Sequence, residues 1–155
     1  MEDRKVYLTG KIDSEVANKI IRKLLYFDSI GEEDITLYIS SGGGGVFAGL
    51  SIIDTISLLK SNVKTVVLDM AASMAAIILS VGHKRYCHKN SFVMIHNISG
   101  VSSRMHIIDS LDEDVLNILT KNTKKSKEIL ISALAFDNYM NAQEAKDMGF
   151  IDYII

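Results

Sequence analysis

The chain has 155 residues, of which 48% are apolar, and a formal net charge of −2. This length fits one domain over residues 1–155, and this composition excludes a disordered chain. The near-neutral charge gives no electrostatic reason to expect nucleic acid or an anionic membrane as a partner. The single cysteine, Cys87, cannot form an internal disulfide, and the charged start lacks the apolar core of a signal peptide. We therefore expect a cytoplasmic protein.

Strand and helix periodicities alternate along the first half of the chain, without a proline or a clear linker. The strands are predicted at residues 5–8, 35–39 and 63–68. A helix capped by Ser14 follows the first strand, helical spacing returns over residues 46–59, and small apolar residues predict a helix over 71–81. The segment 66–81 is almost uncharged, but Asp69 interrupts it and it is short for a membrane span. We therefore interpret it as a buried strand and helix, with no membrane partner.

In the second half, two short strands are predicted at 84–87 and 92–95, around a turn at 89–90. Apolar positions from Ile108 to Ile118 mark a longer helix whose start is acidic and whose end is basic, which suits a helix dipole and a solvated face. Asn141 and Glu144 predict a capping box for a last helix that Gly149 ends, before a final strand at 151–154. The alternation of strands and helices predicts an α/β fold.

Two strand-to-helix turns carry residues suited to chemistry. Residues 40–45 read Ser-Ser-Gly-Gly-Gly-Gly, and glycines let backbone N–H groups approach a ligand closely. The run is not a phosphate loop, because no Lys-Ser or Lys-Thr follows it, and alone it could be a flexible turn. In the second turn Ser73 stands among small residues at the predicted start of a helix, where free N–H groups help a developing oxyanion. Taken alone, a serine in this position is more often a capping or small packing residue than a nucleophile.

A nucleophilic serine needs a base, and the chain offers four histidines, His83, His88, His96 and His106. His96 ends an apolar strand, where a side chain can emerge into a cleft, while His83 and His88 lie in basic turn regions and are expected in solvent. Asp137 lies in a predicted loop, where an Asp is usually a turn residue. The histidines lack metal-ligand spacing, so we expect neither a metal nor a cofactor.

Several segments nonetheless match one family in order. The serine, histidine and aspartate follow an order that differs from that of α/β-hydrolases, whose Gly-x-Ser-x-Gly elbow is absent. The chain resembles the ClpP family, the proteolytic component of Clp proteases, over nearly its full length. The similar segments are 37–46 (LYISSGGGGV), 70–76 (MAASMAA), 90–96 (NSFVMIH), 137–145 (DNYMNAQEA) and 149–152 (GFID).

This resemblance implies a ClpP/crotonase-type fold of repeated β-β-α units with a protruding handle helix, in a region of about 97–134. It implies a serine endopeptidase that acts on peptides or unfolded proteins inside a ring-shaped homo-oligomer. Residue by residue, it implies Ser73 as nucleophile, His96 as base and Asp137 as the carboxylate that orients the base. It implies an oxyanion hole made by the backbone N–H groups of Gly44 and Met74. The residues implied to bind substrate are Gly43, Gly45 and Val46.

The chain departs from the family at several positions. Gly42 stands where a proline is usual, Asp69 where a glycine is usual, and residues 135–136 (Ala-Phe) where an Asp-Arg pair is tied to ring–ring contact. The chain also begins almost at its first strand, ahead of which the family carries an axial segment that helps contact an ATP-dependent unfoldase. The stretch between His96 and Asp137 is shorter than usual. We therefore expect an altered or less stable double ring, with the unfoldase as a conditional partner.

Three other functions fit parts of the sequence. A phage-type head-maturation protease of the same family would suit the compact chain. A catalytically silent structural subunit of a mixed ring would usually lack one of the three catalytic residues, which are all present. A crotonase-type enzyme acting on acyl-CoA would share the fold and the oxyanion hole but has no need of a serine nucleophile.

Overall fold

A computed structural model describes residues 3–97 and 105–155 of the chain. Its strands are β1 (Lys5–Thr9), β2 (Ile35–Ser41), β3 (Val63–Ala72), β4 (Lys84–Cys87), β5 (Phe92–Ile95), β6 (Asn138–Asn141) and β7 (Tyr153–Ile154). Its helices are α1 (Ser14–Ile30), α2 (Val46–Leu58), α3 (Met74–Ser80), α4 (Met105–Thr123), α5 (Lys127–Leu134) and α6 (Ala142–Asp147). This arrangement confirms the predicted α/β class.

The seven described strands form one sheet, in which β1, β2, β3, β4 and β7 are neighbours in that order and run parallel. The ten-residue strand β3 is long enough to pair with β4 along its first half and with β5 along its end. β6 pairs antiparallel with β5. The end of β3, β5 and β6 therefore meet at one corner of the sheet.

The two strands predicted around the turn at 89–90 both exist, but they do not pair with each other. Each lies parallel to β3, with Cys87 opposite Val67 and Phe92 opposite Met70. The connection between them is held against β3, because the Ser91 hydroxyl donates to the Leu68 carbonyl at 2.8 Å. The chain thus steps along the edge of β3 instead of reversing.

The helix predicted over 71–81 begins later than the sequence suggests. Ala71 and Ala72 belong to β3 and pair with Val93 and Met94 of β5, so the alanines lie in a sheet despite their helix propensity. Helix α3 covers only Met74–Ser80. The predicted cap of α1 is also displaced by one residue, since the Asp13 side chain accepts from the Val16 N–H at 2.9 Å. A carboxylate accepts that bond as well as a serine hydroxyl does.

The predicted capping box and the predicted final strand are both present. The Asn141 side chain accepts from the Glu144 N–H while the Glu144 side chain accepts from the Asn141 N–H, which is the predicted capping box. The final strand is shorter than predicted, at Tyr153–Ile154.

Asp69 lies within the apolar segment because β3 bulges there. Ile39 pairs with Val67, but Ser41 pairs with Ala71, so β3 carries two more residues than β2 between these partners. Asp69 is exposed and accepts a hydrogen bond from the Met70 N–H at 2.6 Å. Hydrogen bonds from Ser40 and from that N–H hold the pKa of Asp69 below its usual value. The bulge therefore keeps a charged side chain out of the core.

Helix α2 packs against α1 and α3, and α4 packs against α3 and α5. The buried face of α1 is apolar at helical spacing, with Ala17, Ile20, Leu24 and Phe27. The predicted handle region contains α4 and α5, but its residues 98–104 lie outside the described residues. Within the part of the chain that is described, every helix is too short or too polar to cross a lipid bilayer.

Candidate active site

Ser73 lies in the tight turn between β3 and α3, with a positive φ of 55°. A positive φ is uncommon for a residue other than glycine, and such strain is concentrated at functional sites. The turn is held because the Ser73 N–H donates to the Met94 carbonyl at 2.8 Å. Sharp strand-to-helix turns of this kind expose the nucleophilic serine of α/β-hydrolases.

His96 follows directly after β5 and contacts Ser73. Because Met94 pairs with Ala72 in parallel strands, the end of β5 lies beside the turn that carries Ser73. His96 Nε2 lies 2.8 Å from Ser73 Oγ, which is hydrogen-bonding distance. The His96 side chain is 27% exposed, so the imidazole keeps access to solvent and to a ligand.

Asp137 precedes β6 and lies across from His96. Asn138 pairs with Ile95 in the antiparallel β5–β6 ladder, which brings the residue before Asn138 next to the residue after Ile95. The Asp137 Oδ1 to His96 Nδ1 distance is 3.8 Å, longer than a hydrogen bond, and the Asp137 side chain is 69% exposed. The register thus gathers three side chains that are far apart in sequence. The sequence analysis missed β6, the strand that makes this possible.

The glycine run lies against the same turn. Ile12 forms an isolated parallel bridge with Gly44, in which the Ile12 N–H donates to the Gly43 carbonyl and the Gly45 N–H donates to the Ile12 carbonyl. Both bonds are made by Gly43, Gly45 and Ile12, so the N–H of Gly44 takes no part in the bridge. Met74 is the first residue of α3, where an N–H has no partner within the helix.

Gly43 and Gly45 have structural partners in the chain itself. The Gly43 N–H donates to Ser41 Oγ at 3.1 Å, and the buried Ser41 hydroxyl donates to the Gly10 carbonyl at 2.6 Å. The Gly45 N–H is held by Ile12 at 2.7 Å. Of the residues predicted to bind substrate, Val46 lines the cleft beside Ser73, whereas Gly43 and Gly45 are not among its lining residues.

A cleft of about 170 Å³ opens at Ser73 and His96. Gly44, Val46 and Met74 line it on the side of the glycine run and α3. Its remaining walls come from the apolar residues Ile77, Ile95 and Val115 and from Asn97. Ile77 follows Ser73 by one helical turn, and Ile95 precedes His96, so the spacing from the predicted nucleophile and base could have found both. Val115, from α4, could not be found in that way.

The other histidines lie apart from this cleft or outside the description. His83 and His88 are exposed, as predicted, and His83 Nδ1 accepts from the Val63 N–H at 3.1 Å. The side chain of His106 lies outside the described residues. Among the side chains described, those of residues 3–97 and 111–155, no group of three or more His, Cys, Asp or Glu is placed to hold a metal ion.

Comparison with known proteins agrees with the sequence resemblance. The family model described as Clp protease matches residues 1–155. The ATP-dependent Clp protease proteolytic subunit of Carsonella ruddii (strain PV) is 37% identical over 165 aligned residues, which cover 100% of this chain and 85% of that protein. The α/β fold with its parallel sheet agrees with the ClpP/crotonase-type fold. The chain therefore belongs to the Clp protease family, whose members are serine-type endopeptidases.

Proposed function

We propose that this chain hydrolyses peptide bonds with Ser73 as nucleophile, His96 as general base and Asp137 as the group that orients His96. The observation that carries the proposal is the 2.8 Å distance between Ser73 Oγ and His96 Nε2. A serine becomes a useful nucleophile when an adjacent base can take its proton, and this distance allows the transfer. The strained turn at Ser73 supports the same role.

The reaction follows from these positions. His96 Nε2 takes the hydroxyl proton as Ser73 Oγ attacks the carbonyl carbon of the substrate, and the proton then passes to the leaving amine. Water hydrolyses the acyl-enzyme by the same steps and restores the Ser73 hydroxyl. For Nε2 to accept, the neutral ring must carry its proton on Nδ1, which is the nitrogen that faces Asp137.

The oxyanion of the tetrahedral intermediate needs two donors near Ser73. The N–H of Met74 has no helical partner, and that of Gly44 is free of the Ile12 bridge. Both residues line the cleft with Ser73. We assign these two N–H groups to the oxyanion hole, where one donor typically contributes about 10²–10³ in turnover. Val46 borders the same cleft and would contact the extended substrate.

Asp137 is further from His96 than a formed triad requires, at 3.8 Å. Catalytic hydrogen bonds are often long before substrate binds and tighten in the complex. Asp137 is also exposed in the single chain, so a neighbouring subunit or a substrate could exclude water from it. We infer that the Asp137–His96 hydrogen bond shortens when the site is occupied or the protein assembles.

We further propose protein or peptide substrates and assembly into homo-oligomeric rings. Large apolar side chains are exposed on α2, with Phe47 at 67% and Leu58 at 82% exposure, which suits burial against another chain. The relative from Carsonella ruddii is named as ATP-dependent, and we extend to this chain the hypothesis of an ATP-driven unfoldase partner. Native mass measurement tests the assembly: a monomer at all concentrations would contradict it.

A fluorophosphonate probe tests the chemistry. We expect one adduct per chain in intact-mass measurement, none on Ser73→Ala, and cleavage of an unfolded protein by the parent alone. Absence of an adduct on the folded chain and on its largest isolated oligomer would refute the nucleophile. That result would favour a silent structural subunit, which the intact Ser73–His96 contact argues against.

A further inference from the structure

His96 separates the active-site cleft from a second cavity. The cleft at Ser73 measures about 170 Å³. The second cavity measures about 190 Å³ and lies between His96, α4 and α5. Among the residues whose side chains are described, three line both spaces: His96, Asn97 and Val115. These three residues form the described part of the partition between the two cavities.

Val115 is the apolar member of this partition. Val115 is buried, with 6% of its surface exposed. Asn97 is exposed, and His96 is committed to Ser73. Beyond Val115 the walls of the second cavity are mainly apolar, with Leu116, Ile131 and Leu134, beside Asp112. Shortening Val115 would therefore join two largely apolar spaces.

The volume of the cleft sets which substrate side chains it can hold. An apolar cavity of about 150 Å³ accepts a benzene molecule. A cleft of about 170 Å³ is thus comparable in size to a single apolar side chain of a substrate. Adding the second cavity would roughly double the space.

We propose that Val115 is a specificity-determining residue, which sets the upper size limit of the side chain next to the cleaved bond. This inference rests on the proposed peptidase function. The side chain that precedes the cleaved carbonyl enters the space beside Ser73, and Val115 lies between that space and the second cavity. The size of an apolar pocket discriminates strongly between substrate side chains, because one methylene group changes kcat/KM by about 10–200-fold.

The test compares peptides that differ only in carrying leucine or tryptophan before the cleaved bond. In Val115→Ala we expect the tryptophan-to-leucine ratio of kcat/KM to rise at least about tenfold over the parent. Val67→Ala is the matched control, because Val67 is fully buried in β3 and lines neither cavity. Val67→Ala should leave the ratio unchanged. An unchanged ratio in Val115→Ala would overturn the proposal.

A second variant covers the case in which Val115→Ala does not fold. Val115→Leu narrows the cleft, so the phenylalanine-to-alanine ratio of kcat/KM should fall about tenfold, and an unchanged ratio would also overturn the proposal. A separate sample of each protein is labelled with the fluorophosphonate, because the label blocks Ser73 and kcat/KM must be measured on unlabelled protein. A labelled parent with unchanged ratios refutes the role of Val115 alone, whereas a parent without label or hydrolysis refutes the peptidase function and this inference together.

Discussion

Gly43 lies so close to Ser73 that a Cβ at position 43 would stand 2.8 Å from Ser73 Cβ and 2.7 Å from the Ala72 carbonyl oxygen. Gly43 also has a φ of +93°, which favours glycine. The glycine run is therefore pressed against the nucleophile turn. A side chain at position 43 would push against the backbone and the Cβ of this turn.

Gly43→Ala should both destabilise the protein and disable the site. We expect a loss of about 2–4 kcal/mol in the free energy of unfolding, from backbone strain and overpacking, measured by urea denaturation. Displacement of Ser73 by about 1 Å should lower kcat/KM about 10²-fold.

Gly10→Ala is the control for this prediction. Gly10 has a similar φ of +72°, but nothing lies within 4 Å of a Cβ there. It should lose about 1 kcal/mol from strain alone and keep its activity. Equal losses in the two variants would show that the contact with Ser73 is unimportant.

The strained backbone at Ser73 leads to a second prediction: glycine at this position stabilises the fold relative to alanine, although both replacements remove the nucleophile. Ser73→Gly relieves the positive φ of 55°, whereas Ser73→Ala keeps it. We expect Ser73→Gly to be more stable than Ser73→Ala by about 1 kcal/mol in urea unfolding, with neither variant labelled by a fluorophosphonate. If the alanine variant were the more stable one, the turn would not be strained.

Local signals predicted much of the fold. The β-branched run of β3, the apolar spacing of α1 and the capping box of Asn141 and Glu144 each depend on neighbours in sequence, and all are present. The start of helix α3 was predicted too early, because the pairing of Ala71 and Ala72 with β5 outweighs the local preference of alanine for helix.

Identifying the site needed the family resemblance as well as the residues. Neither residue spacing nor composition predicts that Asp137 lies near His96, because their proximity depends on the register of β6 against β5. Val115 and Ile12 are likewise brought to the site only by tertiary packing. Such contacts over long sequence separations leave no local pattern to read.

Asp137→Asn tests which carboxylate orients His96. We expect kcat/KM to fall by about 10²–10⁴, because an amide cannot stabilise the imidazolium that forms in the reaction. Asp112→Asn is the matched control, since Asp112 is exposed and lines the second cavity beside His96. It should leave kcat/KM within about twofold. A larger loss for Asp112→Asn than for Asp137→Asn would reverse the assignment.

Cys87 should be inert in the folded chain. Its side chain is buried, and burial raises the pKa of its thiol to about 11, so the reactive thiolate is scarce near neutral pH. Iodoacetamide should leave the folded protein unmodified and add one group per chain in denaturant, read by intact mass. Rapid alkylation without denaturant would show that β4 opens readily.

Asp152 and Arg85 should make stability depend on pH. Arg85 Nη2 and Nε lie 2.6 and 3.0 Å from the two carboxylate oxygens of Asp152, and Arg85 Nη1 donates to the Gly149 carbonyl at 2.6 Å. The hydrogen bonds from Arg85 to the carboxylate hold the pKa of Asp152 below its usual value. The folded chain therefore keeps the carboxylate where the unfolded chain gains a proton. The stabilisation is full above about pH 4 and declines as pH falls through the folded pKa.

Asp152→Asn should cost about 1–2 kcal/mol near pH 7, a modest figure because the Asp152 side chain is 34% exposed and solvent screens the pair. The difference from the parent should shrink towards about pH 3, in urea unfolding followed by circular dichroism. Asp147→Asn is the control, since Asp147 is exposed and an amide oxygen can still accept from Gln143. A constant difference at all pH values would mean that the charge of Asp152 adds nothing to its hydrogen bonds.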